Sequence, residues 1–370
     1  WSVRAVGPGT VRAAADDDEA EGAEGDLRVV IVDDPGALVS LATRLRSAPL
    51  VALDTETTSL EPHDAELIGL SLAASATEVW YLPFGHRPRG GELAAPAPVR
   101  NLPPITDPAC APIADLLRDA TVRKAGQNIK YDWQVLRRAG IELAGVAYDS
   151  MLASFVLDPG RRSHAIDALS MEHRGRGVRS YTDLTGKGAA QIPFAEVPVA
   201  DAAAYCGADS ATVLALHEIF APQLREMALA PLLDDLEMPL VEVLVDMEWA
   251  GIAIDRPLFE RLSRDMGAEL ARLEGEIQAA AGTTFNLNSP KQLGQVLYEQ
   301  HQMPVLKKTR TGPSTDADVL EQLAAMGHEI PRLILEYREL QKLRSTYVEV
   351  LPARVNATTG RIHTSFNQTG

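Results

Sequence analysis

The pattern of apolar and polar positions changes in character near residue 231. Before that point, short apolar and β-branched runs are bounded by turn-forming residues, which predicts strands. The predicted strands cover residues 28–32, 50–54, 67–72 and 78–82. Helical periodicity covers 35–46 and then alternates with short β-like segments between 110 and 220. This mixture predicts an α/β layered fold rather than a helical bundle.

From about residue 231 the pattern is almost entirely helical. Apolar residues recur at helical spacing over three long segments, 232–249, 256–280 and 331–350. Ser289 followed by Pro290 predicts the start of a shorter helix, because serine caps helices and proline is tolerated in the first turn. A polar, basic and turn-rich segment covers 307–314, and the alternation over 361–366 predicts a final strand with no evident partner.

Residues 1–27 are rich in alanine, glycine and acids, and they lack apolar periodicity, which predicts an acidic flexible linker. This segment holds part of the formal net charge of −16. The charge argues mildly against a nucleic-acid partner, yet net charge does not describe local charge. Because the chain begins at Trp1 rather than methionine, we expect it to be a fragment of a longer protein.

The composition is that of a globular protein, with 46% hydrophobic and 23% charged residues. No apolar run is long enough to cross a bilayer, and the first residues lack the pattern of a signal peptide. Two cysteines, Cys110 and Cys206, cannot form a disulfide framework, which fits a reducing compartment. We therefore expect a cytoplasmic location and no membrane partner.

The sharpest chemical signal is Asp54-Thr55-Glu56, at the end of an apolar run. Side chains alternate across a strand, so Asp54 and Glu56 project from one face. Two carboxylates at that distance repel, and a divalent cation with a preference for oxygen ligands relieves the repulsion. The alternative is a pair of acids at a solvent-exposed strand end.

A further acid, Asp132, ends the motif 126–132. Gly126 permits a tight turn and Asn128 is a candidate helix cap, which would place Asp132 in the first turns of a helix that runs to Arg138. An acid at this place also interacts favourably with the helix dipole, so a structural role is the alternative.

Tyr205 and Asp209 are four residues apart in a helical segment, 201–220, and therefore share a helix face. A carboxylate and a phenol in this relation could hold a metal and orient an attacking water. The alternative is a core tyrosine beside an acid at the rim. Taken together, the order strand D-x-E, helix Asp, helix Y-x-x-x-D along one domain favours a shared site.

These motifs resemble the proofreading exonucleases with four acids and a tyrosine, the DEDDy type. More specifically, the chain resembles the exonuclease and thumb regions that begin the Klenow fragment in the bacterial DNA polymerase I family (family A). The exonuclease resemblance rests on LDTETTSL (53–60), GQNIKYD (126–132) and YCGADSATVLALH (205–217). The thumb resemblance rests on MEWAGIAID (247–255), FNLNSPKQLGQVLYE (285–299), STDADVLEQLA (314–324) and YRELQKLRSTYVEVLP (337–352).

The resemblance implies a ribonuclease H-like mixed sheet flanked by helices over 28–225, then a mostly α-helical thumb over 231–370 with the start of the polymerase domain. It implies two divalent ions, Mg²⁺ or alternatively Mn²⁺ or Zn²⁺. Asp54 would bridge both ions, Glu56 and Asp209 would complete the first, and Asp132 would help to hold the second.

Further roles follow from the same resemblance. Tyr205 would orient the attacking water, and a nucleoside 5′-monophosphate would leave. Substrate contacts are implied for Thr55, Leu60, Asn128 and Tyr131, with Leu60 as a wedge between bases. The partners would be a single-stranded DNA 3′ end at this site and duplex DNA at the thumb, bound by a monomer.

In the thumb-like part, Lys307, Lys308, Arg310 and Ser314 fit contacts to duplex phosphates, since basic residues on a polar loop neutralise phosphates without reading sequence. A solvated loop is the alternative. The residues that would correspond to palm and fingers do not follow Gly370, so we expect exonuclease activity, within a DNA polymerase parent acting in replication and repair, and no polymerisation by this chain.

Two other functions remain open at this point. An exoribonuclease of the RNase D kind shares the acids and the tyrosine but would have a different helical domain downstream. A DNA-binding module with an inert nuclease site would have the same sequence motifs with unproductive geometry.

Overall fold

The computed structural model describes residues 27–89, 99–310 and 312–370, together with the backbone of 2–5 and 10–14. Contacts divide the chain into two units, Trp1–Trp249 with Ser365–Gly370, and Ala250–Thr364. The predicted boundary near 231 falls inside the first unit, because Met238, Val241 and Val245 of the following helix are buried in that unit's core. Among the described residues, no helix is long and apolar enough to cross a bilayer.

The first unit is built on a sheet of eight strands. In chain order they are β1 (Ser2–Ala5), β2 (Thr10–Ala14), β3 (Arg28–Ile31), β4 (Val51–Thr57), β5 (Leu67–Ser75), β6 (Glu78–Pro83), β7 (Lys124–Gly126) and β8 (Val146–Asp149). Their spatial order is β1-β2-β3-β6-β5-β4-β7-β8. β4 pairs antiparallel with β5 and parallel with β7, so the mixed sheet is confirmed.

The first two strands fall within the segment predicted to be a flexible linker. β1 pairs antiparallel with β2, and β2 pairs antiparallel with β3, so backbone hydrogen bonds rather than an apolar pattern extend the sheet there. The linker prediction is therefore wrong for residues 2–5 and 10–14. The acidic residues 16–26 lie outside the described residues.

Helices flank this sheet and connect its strands. In the first unit they are α1 (Leu38–Arg46), α2 (Ala111–Arg118), α3 (Ile129–Arg138), α4 (Ser150–Leu157), α5 (Ile166–Arg174), α6 (Tyr181–Thr185), α7 (Val199–Glu226), α8 (Ala230–Leu232) and α9 (Met238–Ala250). Short 3₁₀ turns cover Pro35–Ala37, Pro108–Cys110, Gly188–Ala190 and Phe194–Glu196, and a π-helical turn covers Leu233–Glu237.

The long helix α7 lies against the sheet, and its approach depends on a residue without a side chain. A Cβ at Gly207 would lie 3.0 Å from Val29 of β3, which is closer than most Cβ contacts, and in ordinary contact with Val79 of β6 at 3.5 Å. The hydroxyl of Ser71 on β5 donates to the carbonyl oxygen of Cys206 at 3.0 Å. These contacts fix the register of α7 against the strands that carry the candidate site.

The second unit is helical, as predicted. It contains α10 (Arg256–Ala281), α11 (Pro290–Gly294), α12 (Ala317–Ala325), α13 (Glu329–Leu343) and α14 (Val350–Ala353), two π-helical segments (Gln295–Gln300 and Arg344–Val348) and a two-stranded hairpin of β9 (Lys308–Thr309) and β10 (Gly312–Pro313). Ser289 caps α11 by accepting from the Gln292 amide, which confirms the predicted helix start. In place of the predicted strand 361–366, the described part of the chain has one bridge, in which Ile362 and Ile252 exchange backbone hydrogen bonds.

Candidate active site

Asp54 and Glu56 lie on β4, a strand in the interior of the sheet. Val51, Ala52 and Leu53 are fully buried and anchor the strand, so the acids that follow are held on a rigid element. Asp54 is opposite Ser71 and Glu56 is opposite Gly69 on β5. The two carboxylates share one face of the sheet, as predicted, with Glu56 buried and Asp54 partly exposed.

Helix α7 contributes Tyr205, Cys206 and Asp209 from positions that face the same strand. The Cys206 thiol donates to the Asp54 Oδ2 oxygen at 3.0 Å. Asp209 is buried, and its carboxylate acts on Asp54 and Glu56 electrostatically, so the predicted helix face lies over the D-x-E motif. Tyr205 is half-buried beside these carboxylates.

Asp132, in the first turn of α3, completes the set of four acids. Its Oδ1 oxygen accepts two hydrogen bonds from Thr55, from the amide at 2.9 Å and from the hydroxyl at 2.6 Å. The residue between the two acids of β4 therefore fixes the acid from α3. Thr55 is buried, with its hydroxyl bonded to Asp132, and the substrate contact expected of Thr55 stays a prediction.

The start of α3 differs from the prediction that Asn128 caps it. Asn128 is at the N-cap position in a left-handed conformation, with a φ of 56°, and its side chain makes no capping bond. Asp149, at the end of β8, accepts from the Ile129 amide at 2.8 Å instead, and it also caps α4 through the Met151 amide. The Asn128 side chain is exposed.

Burial and mutual repulsion raise the pKa values of these acids. Burial and the Asp209 carboxylate raise the pKa of Asp54 to about 7. Burial, then Asp54, Asp209 and Asp132, raise the pKa of Glu56 well above its ordinary value. Burial and Asp54 likewise raise the pKa of Asp132, against the two hydrogen bonds from Thr55. Ionised carboxylates in such a cluster repel one another, so a bound cation would stabilise their charged forms.

The donor set fits a divalent cation on two further observations. Ligand atoms of Asp54, Glu56 and Cys206 lie within 4.8 Å of one another. The Asp209 Oδ1 oxygen is buried and has no hydrogen-bond partner in the described part of the chain. A buried acceptor without a donor is costly, and coordination of a cation by that oxygen removes the cost.

Leu60 and Tyr131 lie next to the site. Leu60 is 90% exposed, which is compatible with a contact to a nucleic-acid base. The Tyr131 hydroxyl donates to the Ser59 carbonyl at 2.6 Å and lies 2.5 Å from the Thr57 hydroxyl. Tyr131 therefore fixes the loop that carries Leu60.

The basic residues predicted to contact duplex DNA belong to the second unit and differ in exposure. Lys308 is exposed at the start of the hairpin β9–β10, and Arg310 is exposed at its turn. Lys307 is also exposed, and its ammonium group forms an ion pair with Asp316 at 2.8 Å. Ser314 is buried, and its hydroxyl accepts from the Asp316 amide, so the phosphate contact expected of Ser314 stays a prediction.

Several residues of the site were not predicted from the sequence. Cys206 could have been found from its spacing, since it follows Tyr205 and precedes Asp209 by three positions on the same helix. Glu248 on α9 accepts from Lys130 of α3 at 2.5 Å, and no local pattern links residues so distant in sequence. Asp149 was missed because its role as a double cap depends on the meeting of β8 with two helices.

Two family models and several known proteins match this chain. A family model described as 3'-5' exonuclease matches residues 29–225, and one described as DNA polymerase family A matches 256–370. A DNA polymerase I of Pseudomonas aeruginosa is 40% identical over 352 residues, which cover 94% of this chain and 37% of that protein. A DNA polymerase I of Geobacillus stearothermophilus is 41% identical over 252 residues, which cover 68% of this chain and 28% of that protein.

A solved structure described as the POL domain of Pol1 from M. smegmatis, in complex with DNA primer-template and dNTP, has a TM-score of 0.74 and 27% identity. The match covers 92% of this chain and 52% of that one. The chain thus spans between 28% and 37% of the length of the two polymerases compared above. The chain belongs to the 3'-5' exonuclease family, and its residues 256–370 match the model of DNA polymerase family A.

Proposed function

We propose that this chain removes nucleotides from DNA 3′ ends with two divalent cations held by Asp54, Glu56, Asp132 and Asp209. The observation that carries the proposal is the convergence of these four acids from β4, α3 and α7 in one buried cluster beside Tyr205. Acid clusters that hold two cations catalyse phosphoryl transfer to water, because the paired cations stabilise both the attacking and the leaving oxygen.

The residues have separable roles in this proposal. Asp54, with Glu56 and Asp209, would hold the first cation, and Asp132, fixed by Thr55, would help to hold the second. When bound, the ions lower the pKa of water and stabilise the charge that develops on the leaving 3′ oxygen. Mg²⁺ is the proposed ion, because the four carboxylates are hard oxygen ligands.

Tyr205 would orient the attacking water, since it is half-buried beside Asp209 and burial and the nearby carboxylates raise its pKa, which keeps the phenol protonated. Leu60 and Asn128 are exposed beside the acids and would contact the terminal nucleotide. Tyr131 would act through the loop that it fixes. The product would be a nucleoside 5′-monophosphate.

The second unit would grip duplex DNA through Lys308 and Arg310, whose exposure suits phosphate contacts. We propose that the longer protein to which such a chain corresponds is a cytoplasmic, monomeric DNA polymerase I of replication and repair. The match of residues 256–370 to DNA polymerase family A supports DNA rather than RNA as the substrate.

The test is an end-trimming assay with 5′-labelled single-stranded DNA and an RNA of the same sequence, each with Mg²⁺, with Mn²⁺ and with EDTA. We expect stepwise shortening of DNA from its 3′ end that EDTA stops. Asp54→Ala with Glu56→Ala should lower the rate by about two orders of magnitude or more, as the removal of electrostatic stabilisation commonly does.

The outcomes separate the candidate functions. Preferential shortening of RNA would support an exoribonuclease instead. Failure to shorten either substrate would indicate a DNA-binding module with an inert site. Shortening that persists undiminished in the Asp54→Ala, Glu56→Ala variant would place the activity elsewhere.

A further inference from the structure

A thiol lies among the carboxylates of the candidate site. The Cys206 Sγ atom is 3.0 Å from the Asp54 Oδ2 oxygen and 3.5 Å from the Asp54 carbonyl oxygen. It also lies with ligand atoms of Asp54 and Glu56 in a group whose members are within 4.8 Å of one another. Cys206 is completely buried, so its sulfur faces the acids and not the solvent.

A second observation makes this thiol part of a donor set. Asp209 lies three residues after Cys206 on α7, and residues at this spacing are neighbours on a helix. Its Oδ1 oxygen is buried and has no hydrogen-bond partner in the described part of the chain. The sulfur of Cys206 and this oxygen are therefore available together on the helix that faces Asp54 and Glu56.

The set holds three carboxylates and one sulfur, and a hard cation such as Mg²⁺ has no need of the sulfur. Mg²⁺ takes oxygen ligands in octahedral geometry, whereas Zn²⁺ binds sulfur at about 2.3 Å and carboxylate oxygen at about 2.0–2.2 Å in a tetrahedron. Sulfur ligands select soft ions over Mg²⁺. The alternative is a structural role, in which the thiol only donates a hydrogen bond to Asp54 and packs against the sheet.

We propose that Asp54, Glu56, Cys206 and Asp209 form a site for a soft divalent cation of the Zn²⁺ and Cd²⁺ class, in which the Cys206 sulfur is a ligand. On binding, the thiol proton leaves to the solvent, the hydrogen bond to Asp54 breaks and a metal–sulfur bond forms. This inference rests on the proposed function, because it concerns the cation selectivity of the same carboxylates.

Cadmium is the probe, because a cadmium–thiolate bond absorbs in the ultraviolet through charge transfer. The full chain would be freed of metal with a chelator, which is then removed, and titrated with Cd²⁺. Cys110 is the second cysteine and is also buried, with its thiol directed to the Pro103 carbonyl. Cys110→Ala is therefore the matched control for Cys206→Ala.

We expect the charge-transfer band in the unaltered chain and in Cys110→Ala, and its loss in Cys206→Ala. Loss of an outer-shell partner commonly lowers metal affinity about 10- to 100-fold, and loss of the sulfur ligand should lower Cd²⁺ affinity at least as much. Cys206→Ser keeps a hydrogen-bond donor of similar size, so its Cd²⁺ affinity should fall while its Mg²⁺ affinity changes much less. Asp54→Asn should raise the Cd²⁺ concentration at which the band appears.

The outcomes distinguish this inference from the proposed function. If Mg²⁺ supports DNA trimming but Cd²⁺ gives no band, the inference fails and the exonuclease stands. A band that disappears in Cys110→Ala and persists in Cys206→Ala also overturns the inference. A band that depends on Cys206 and Asp54, in a chain that does not trim DNA, supports the soft-metal site and refutes the exonuclease.

Discussion

Lys130 and Glu248 form an ion pair within the first unit, and both side chains are buried. The Lys130 ammonium nitrogen lies 2.5 Å from the Glu248 Oε1 oxygen, and the side chains are 9% and 5% exposed. Glu248 also accepts from the Gln134 side chain at 2.7 Å and from the Phe366 amide at 2.6 Å. Lys130 is two residues before Asp132, so this network fixes the helix that carries one of the candidate ligands.

Glu248→Ala should destabilise the first unit strongly, because it leaves the Lys130 ammonium group buried without its counter-charge. Breaking a buried pair on one side typically costs about 3–5 kcal/mol. The measurement is urea unfolding followed by tryptophan fluorescence. Among the described residues the tryptophans are Trp80, Trp133 and Trp249, which all belong to the first unit, so their signal reports on it.

Asp246→Ala is the matched control for that change. Asp246 is on the same helix and pairs with Arg137 at 2.8 Å, but its side chain is 62% exposed. Exposed pairs contribute only about 0–1 kcal/mol. Equal losses of stability in the two variants would contradict the larger contribution expected of the Lys130–Glu248 pair.

Thr55→Val should impair metal binding without removing any candidate ligand. The change deletes the hydroxyl that donates to Asp132 and keeps the amide that donates to the same oxygen. Outer-shell changes of this kind commonly lower metal affinity or activity about 10- to 100-fold. The measurement is the trimming rate as a function of Mg²⁺ concentration, which should shift to higher concentrations.

Thr43→Val is the control for Thr55→Val, because the Thr43 hydroxyl is on the exposed side of α1 and donates to the Val39 carbonyl. Its Mg²⁺ dependence should match that of the unaltered chain. A Thr55→Val variant with an unshifted Mg²⁺ dependence would mean that the hydrogen bond from the Thr55 amide to Asp132 alone suffices.

The metal-free chain should lose stability as pH rises from about 4 to about 7. The pKa of Asp54 and of Asp209 is raised from 3.8 to about 7 in the folded state, for Asp54 by burial and the neighbouring Asp209, and for Asp209 by burial and Asp167. Within this window the folded state holds more protons than the unfolded state, so the free energy of unfolding falls with increasing pH. Thermal melting in EDTA across this range measures the effect.

Asp54→Asn with Asp209→Asn should flatten that pH dependence, since amides do not titrate. Added Mn²⁺ should raise the melting temperature of the unaltered chain more at about pH 8 than at about pH 5, because the ligands must be deprotonated to bind. A melting temperature that rises with pH in EDTA, with the same slope in the double variant, would contradict the raised pKa values.

Lys308→Ala with Arg310→Ala should weaken duplex DNA binding and its dependence on salt. For every phosphate that a removed cation had neutralised, the slope of log affinity against log salt should fall by about 0.9. The measurement is fluorescence anisotropy of labelled duplex DNA over a range of salt concentrations. Arg272→Ala with Arg332→Ala removes the same charge from residues paired with helix acids, and it should leave the slope unchanged.

The sequence predicted the elements better than the contacts between them. β4 and α7 follow from apolar runs and helical spacing, and these local patterns place Asp54, Glu56, Tyr205 and Asp209 on the faces where the structure has them. The bonds from Thr55 to Asp132 join residues 77 apart in sequence, and alternation along β4 gives no indication of them.

The errors share a physical origin. β1 pairs with β2 and β2 pairs with β3 through backbone hydrogen bonds, which side-chain patterns do not encode. Asp149 caps α3 in place of Asn128 because its carboxylate, at the end of a neighbouring strand, lies within hydrogen-bond distance of the Ile129 amide.

The return of Ser365–Gly370 to the first unit has a practical consequence for dissecting the molecule. A polypeptide that stops at Trp249 keeps Glu248 and Lys130 but lacks the Phe366 amide and carbonyl that bond to them. The first unit is therefore discontinuous in sequence, and one cleavage cannot release it whole. A synthetic peptide of residues 365–370, supplied in trans, would be the natural partner for such a truncated chain in fragment complementation.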